Sequence, residues 1–193
     1  MDLIFDNFVW LIRQRLRKNR VSSSSYIKNP RSITLGKNST ITKGCSLDAS
    51  GGGWIKIGDR VTLNRLVYLN AYKGHILIED GVEINNLTVI NGTGGVTIQR
   101  DVLIGPNVQI ISYAHRFNNS SLPIKEQGID KKPVIIEQGC WIGAGAIILA
   151  GVTIGEHSVI GAGAVVNKNI PSFSVAVGVP AKIIKNRKEI SHV

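Results

Sequence analysis

One stretch of the chain holds a histidine and two carboxylates close together in sequence: His115, Glu126 and Asp130. An imidazole changes its protonation state near neutral pH, so it is the side chain best suited to take a proton from a weak nucleophile. A carboxylate on the second ring nitrogen would hold the imidazole in the right orientation. Glu126 is the favoured partner, and Asp130 is the alternative. The combination is suited to general base chemistry.

A six-residue repeat must position that stretch. In the C-terminal third, apolar residues stand six apart at Ile136, Ile142, Ile148, Ile154, Ile160 and Val166. The same register runs upstream in triples that begin at Leu35, Ile57, Ile78 and Ile98. A helix would repeat near 3.6 residues and a simple strand at 2, so this period predicts short strands that turn a corner at every hexad. Stacked coils, about six of them, would form three parallel sheets around the periodic residues.

Extra residues enter only between triples, and therefore at one corner of the predicted coil. The longest step, 26 residues from Ile110 to Ile136, contains His115. A long insertion in a compact repeat protein is usually functional or disordered. We expect the insertion to be a functional loop.

Composition limits the class of protein. The 193 residues include 43% apolar residues, and no apolar run approaches the length of about 18 that a membrane-spanning helix needs. We therefore expect one folded domain that is not embedded in a membrane. Cys45 and Cys140 occupy inward hexad positions and should be buried free thiols. The N-terminal residues lack the features of a secretory signal, so the expected location is the cytoplasm.

The sequence predicts neither a metal site nor a nucleic-acid partner. The four histidines are not closely spaced, so no metal site is predicted: they are His75, His115, His157 and His192. The net charge of +10 is not accompanied by interleaved aromatics or a nucleic-acid motif, so no nucleic-acid partner is expected. The charge would instead attract small anionic substrates.

The chain divides into three parts. Residues 1–32 are predicted to be an amphipathic helix with a basic run, followed by a linker. The helix docks on a sheet through its apolar stripe or makes peripheral contact with a membrane. Residues 33–172 are predicted to form the stacked coils, with the functional loop inserted at 112–133. Residues 173–193 are predicted to form a strand and then a short helix over 182–190, because Pro180 is typical of a helix start.

The segment from Ser112 to Arg187 resembles the hexapeptide-repeat acyltransferases, and within them the bacterial polysaccharide and sugar O-acetyltransferases. The motifs that carry the resemblance are His115-Arg116-Phe117, Cys140-Trp141-Ile142-Gly143 and the VGVPAKII sequence that starts at Val177. The resemblance implies an all-β, left-handed parallel β-helix, acetyl-CoA as acyl donor and a sugar or glycan hydroxyl as acceptor. It also implies a homotrimer with active sites between subunits. Transfer to the amine of a nucleotide-linked amino sugar remains the alternative.

The same resemblance implies roles for individual residues. His115 would be the general base of a direct attack, without an acyl-cysteine. The acceptor would be held by Asn85 and Trp141, where Asn85 is the best match among Asn85, Asn86 and Asn91. Pantetheine would contact the backbone of Ala144, Gly161 and Ala162, and the coenzyme phosphates would meet Lys168 and Lys185.

Overall fold

The structure is a computed structural model that describes residue 14 and residues 18–189. It is an all-β, left-handed β-helix built from strands of two to five residues. The strands are, in chain order, β1 (Arg20–Val21), β2 (Tyr26–Lys28), β3 (Ile33–Leu35), β4 (Thr40–Ile41), β5 (Ser46–Asp48), β6 (Trp54–Ile57), β7 (Thr62–Leu63), β8 (Tyr68–Asn70), β9 (His75–Ile78), β10 (Glu83–Ile84), β11 (Val89–Asn91), β12 (Val96–Ile98), β13 (Leu103–Ile104), β14 (Gln109–Ile111), β15 (Tyr113–His115), β16 (Ile129–Lys131), β17 (Val134–Ile136), β18 (Trp141–Ile142), β19 (Ile147–Ile148), β20 (Thr153–Ile154), β21 (Val159–Ile160), β22 (Val165–Val166), β23 (Ser174–Val177) and β24 (Lys182–Asn186). Short 3-10 helices cover Pro30–Ser32, Ile124–Glu126 and Arg187–Glu189.

Successive turns of the chain return their strands to the same three sheets. Sheet 1 has the order β1-β4-β7-β10-β13-β18-β21-β23-β24, sheet 2 the order β2-β5-β8-β11-β14-β19-β22, and sheet 3 the order β3-β6-β9-β12-β17-β20. Neighbouring strands are parallel except for β23 and β24. The parallel sheets predicted from the hexads are confirmed.

The hexad residues form the core because the register stacks each one on its equivalent in the next turn. In sheet 1, Ile84 pairs with Ile104, Ile104 with Ile142, and Ile142 with Ile160. All four side chains are at most 2% exposed. Burial of apolar surface, about 25 cal/mol per Å², is the main force that holds the turns together.

Each turn of the helix has three corners, which we name by the sheets that they join. Long steps between triples fall at the 2–3 corner, where the chain passes from sheet 2 to sheet 3. There the 26-residue step becomes an arm, in which β15 and β16 pair antiparallel. His115 ends the outgoing strand of this arm.

The paired strands begin earlier than the predicted boundary at residue 33. Arg20 and Val21 pair with Thr40 and Ile41, so two residues of the predicted N-terminal helix and linker segment form part of sheet 1. Most of the predicted amphipathic helix lies outside the described residues. Within the described part of the chain, no helix is long and apolar enough to cross a membrane.

The predicted C-terminal helix is wrong. Residues 182–186 form β24, which runs antiparallel to β23 and is followed by one short 3-10 helix. Gly178 has a φ of 96°, and with Pro180 it lies in a turn that brings the chain back along the edge of sheet 1. A strand satisfies the open backbone groups of that edge, which a helix would leave unpaired.

Candidate functional site

The arm presents two different faces because side chains alternate along its strands. Tyr113 pairs with Lys131, and His115 pairs with Ile129. These four side chains face one groove. The hydrogen bond from the Lys132 N–H to the Ser112 carbonyl (3.0 Å) closes the arm at its base. His115 is therefore held on a paired strand.

The opposite face of the arm carries an ion pair. The Nε of Arg116 donates to Oδ1 of Asp130 at 2.6 Å, and the two side chains are 57% and 48% exposed. The Arg116 N–H also donates to the Gly128 carbonyl at 3.1 Å. Asp130, the alternative orienting residue, is thus engaged on the face away from His115.

The tip of the arm is organised by Gln127. Its side-chain amide donates to the carbonyls of Asn119 (2.8 Å) and Leu122 (2.9 Å), and its oxygen accepts from the Asn119 N–H at 3.0 Å. Glu126 lies beside it at the end of a 3-10 helix. Among the described contacts none joins Glu126 to His115, so its orienting role stays a prediction.

The groove next to His115 has a volume of about 520 Å³. Its walls come from three levels of the 2–3 corner: the turn after β8, the turn after β11, and the arm. The rings of Tyr113 and His115 meet edge to face, with centroids 6.1 Å apart. The lining residues are Asn70, Tyr72, Lys73, Asn91, Thr93, Tyr113, His115, Ile129 and Lys131.

Most residues of the groove walls were not predicted from the sequence, namely Asn70, Tyr72, Lys73, Thr93 and Lys131. A signal was present in the lengths of the steps. The steps from Leu69 to Ile78 and from Ile90 to Ile98, 9 and 8 residues, enter at the same corner as the arm. Stacking places all three insertions side by side.

The two predicted acceptor residues lie away from His115, elsewhere on the β-helix. Asn85 follows β10 at the 1–2 corner, where its N–H donates to the Ile104 carbonyl at 2.9 Å. Trp141 lies on the outer face of sheet 1, 55% exposed, and its register neighbours are Leu103 and Val159. Sheet 2 separates this corner from the corner of His115 within one chain.

The predicted pantetheine contacts also line the 1–2 corner. Ala144 and Ala162 occupy equivalent turns one coil apart, and the Gly163 N–H donates to the Ala144 carbonyl at 2.8 Å. A Cβ on Gly143 would come within 2.5 Å of the Ala162 nitrogen, so the close stacking of these turns requires glycine there. Gly161 begins the second turn. Ala144 and Ala162 are exposed and Gly161 is half-buried, so the column of turns lies at the surface of the β-helix.

The two lysines predicted to meet the coenzyme phosphates are not adjacent within one chain. Lys168 follows β22 at the 2–3 corner, on the side of His115. Lys185 lies on β24, next to Val175 of sheet 1. The structure thus divides the predicted residues into a set on the 2–3 corner and a set on sheet 1 and the 1–2 corner.

Both cysteine thiols are buried and free. The Sγ of Cys140 lies 3.1 Å from the Gly155 carbonyl, and burial raises the pKa of this thiol to about 11. Burial also raises the pKa of Cys45. A protonated, inaccessible thiol is a poor nucleophile, so neither cysteine is suited to carry an acyl group.

Comparison with known proteins identifies relatives. The family model described as "Bacterial transferase hexapeptide (six repeats)" matches residues 133–168. A protein of Mycobacterium tuberculosis named "Probable acetyltransferase" is 37% identical over 169 residues, which cover 84% of this chain and 54% of that protein. The chain thus spans about half the length of that relative. Galactoside O-acetyltransferase of Escherichia coli is 37% identical over 131 residues, covering 67% of this chain and 62% of the relative.

Two further matches cover a larger share of the matched protein. The dTDP-4-amino-4,6-dideoxy-D-glucose acyltransferase of Escherichia coli is 34% identical over 140 residues, covering 70% of this chain and 73% of the relative. A solved hexapeptide-repeat acetyltransferase of Vibrio cholerae, in complex with acetyl coenzyme A, aligns with a TM-score of 0.62 and 30% identity over 68% of this chain and 70% of that one. The repeats, the fold and these identities show that the chain belongs to the hexapeptide-repeat acyltransferase superfamily, as its motifs had indicated.

Proposed function

We propose that the protein transfers the acetyl group of acetyl-CoA to a hydroxyl of a sugar or glycan precursor, with His115 as general base. The observation that carries this proposal is the placement of His115 on a paired strand, facing a groove of about 520 Å³. The side chains of Asn70, Asn91 and Thr93 line the same groove and can hydrogen-bond the hydroxyls of a sugar. The solved relative from Vibrio cholerae binds acetyl coenzyme A.

The proposed reaction is a direct displacement. His115 takes the proton of the acceptor hydroxyl as that oxygen attacks the carbonyl carbon of the thioester. The tetrahedral intermediate then collapses, the carbon–sulfur bond breaks, and the imidazolium returns the proton to the leaving thiolate. The chain supplies a positioned base, and positioning with proton transfer accounts for much of the rate in reactions of this kind. Glu126 remains the proposed orienting residue.

The proposed donor site follows the 1–2 corner. The backbone at Ala144, Gly161 and Ala162 would bind the pantetheine arm by hydrogen bonds along the column of turns. Lys168 and Lys185 would neutralise the phosphates, since an ammonium group forms strong charge-assisted hydrogen bonds with phosphate oxygens. Trp141, more than half exposed, would provide the wall on which the acetyl group or the acceptor packs.

The division of these residues between two corners supports the proposal of a homotrimer. Within one chain, His115 lies on the 2–3 corner, and Asn85, Trp141 and Ala162 lie on sheet 1 or the 1–2 corner. If the 2–3 corner of one copy faces the 1–2 corner of the next, the two sets combine into one site. Cyclic symmetry then produces three equal sites.

Transfer to an amine is the second candidate. A relative at 34% identity is named as an acyltransferase of a dTDP-linked amino sugar. An amine also needs a base to take its proton during attack, so the same groove and His115 would serve. The acceptor decides between the two reactions.

Release of coenzyme A thiol tests the proposal. The full chain is incubated with acetyl-CoA and a panel of sugars, nucleotide sugars and amino sugars, and the product is separated from acetyl-CoA and treated with alkaline hydroxylamine. An O-acetyl ester is cleaved by hydroxylamine, and an N-acetyl amide is not. We expect thiol release with at least one hydroxyl acceptor and a cleavable product. A hydroxylamine-resistant product would establish the amine alternative, and no release with any acceptor would refute both.

A further inference from the structure

The groove beside His115 carries positive charge that the proposed proton transfer does not use. Lys73 and Lys131 both line it, and no carboxylate is among its lining residues. Lys73 belongs to the turn after β8, and Lys131 belongs to the arm, 58 residues away in sequence. The fold brings both lysines to the groove that His115 lines.

Each of these ammonium groups is positioned by a contact. Nζ of Lys131 lies 3.5 Å from the carbonyl oxygen of Lys73. Nζ of Lys73 lies 5.3 Å from the centroid of the Tyr72 ring, within the range of a cation–π interaction. The two contacts tie both charges to the same turn of the 2–3 corner.

Among the described residues, no acidic side chain forms an ion pair with Lys73 or Lys131. In the part of the chain that the structure describes, the ion pairs are Lys28–Asp48 and Arg116–Asp130. Asp130 is a sequence neighbour of Lys131, but strand alternation puts its carboxylate on the other face of the arm. The charge of the lysine pair is therefore available to a ligand in the groove.

We propose that the acceptor is an anionic sugar, whose phosphate or carboxylate group binds Lys73 and Lys131 while one of its hydroxyls lies at His115. The inference rests on the proposed function and specifies its substrate class. A charged group gains strong, charge-assisted hydrogen bonds from both lysines, whereas a neutral sugar leaves them in water and gains nothing from them. Asn91 and Thr93 complete the polar contacts of the sugar ring.

Matched acceptors test the charge. The probes are methyl glucoside, glucose 1-phosphate and methyl glucuronide, with the corresponding galactose series, each measured by thiol release. The variants are Lys73→Gln/Lys131→Gln and the control Lys43→Gln/Lys56→Gln, which removes two exposed lysines outside this groove. We expect the wild type to use a charged probe with a kcat/KM at least about tenfold above its neutral match, and the groove variant to lose about 10- to 100-fold on the charged probe only. The control should stay within about twofold of the wild type.

The phosphate and glucuronide probes identify which anion the groove prefers. Equal use of neutral and charged probes by the wild type would overturn the inference while the proposed function stands. So would a groove variant that binds coenzyme A more weakly and keeps its acceptor preference, because the lysines would then belong to the donor. Calorimetric titration with the sugar phosphates separates the two proposals. If they bind the wild type and not the groove variant, and no acceptor of the full panel gives thiol release, the anionic site is retained and the transferase is refuted.

Discussion

Replacement of His115 by alanine removes the proposed base and little else. The side chain is exposed, and its described packing contact is the edge-to-face meeting with Tyr113 at 6.1 Å. It contributes nothing to the hexad core, so the free energy of unfolding should change by less than about 0.5 kcal/mol. The arm keeps its β15–β16 pairing and its Arg116–Asp130 ion pair.

The expected loss is in turnover. General-base catalysis is typically worth about 10² to 10⁴ in rate, so kcat with the best acceptor should fall by that factor in His115→Ala. The affinity for coenzyme A should be unchanged, since the proposed contacts run along Ala144, Ala162, Lys168 and Lys185. Added imidazole should restore part of the rate, because the vacated side of the groove is open to solvent and a free base can enter it. A merely structural histidine would show no such rescue.

Thiol release measures turnover, calorimetry measures coenzyme binding, and urea titration followed by circular dichroism measures stability. The control is His157→Asn, which changes a histidine at a corner turn with a φ of 55°, a conformation that asparagine tolerates. The control should keep full activity. A His115→Ala protein that retains more than about a tenth of the wild-type rate would show that another group is the base.

Three further predictions concern assembly, the arm and the buried thiol. Ala162→Trp should block the path of the coenzyme. After an equal mixture with His115→Ala is refolded, about a quarter of the sites should be active, because random pairing joins an intact His115 to an intact Ala162 at that fraction of interfaces. A mixture as inactive as its components would contradict a site between subunits. Arg116→Ala should lower kcat about tenfold by loosening the strand that holds His115, with KM unchanged and little effect on stability because the ion pair is exposed. Arg116→Lys should recover part of the rate. A normal kcat in Arg116→Ala would show that the Arg116–Asp130 ion pair does not position His115. Cys140, whose pKa burial raises from 9.0 to about 11, should react with a thiol reagent only after unfolding. Because the unfolded chain loses this proton first, the free energy of unfolding should fall as the pH rises from about 9 toward 11, measured by urea titration at several pH values; rapid labelling of the folded protein would contradict this.

The β-helix was predictable because its repeat is local. Each hexad holds its own inward residue and its own turn, so a period of six is visible without knowledge of the partner strand. The C-terminal β24 was not predictable in this way. Pro180 and the residues after it fit a helix as an isolated segment, and the strand forms because β23 presents an open edge to them. Helix propensity is a weak preference that such tertiary pairing overrides.

For the candidate site, the sequence predicted a general base at one position, because the motif around His115 resembles that of the sugar O-acetyltransferases and the long step places His115 in an insertion. It did not determine the neighbours of that base. Lys73 and Lys131 are 58 residues apart and share a groove only because the coils stack their insertions at one corner. Asp130 follows His115 closely in sequence, yet antiparallel pairing turns it to the opposite face. The chemistry of a side chain is a property of the residue, whereas its neighbours depend on strand register, which exists only once the coils have stacked.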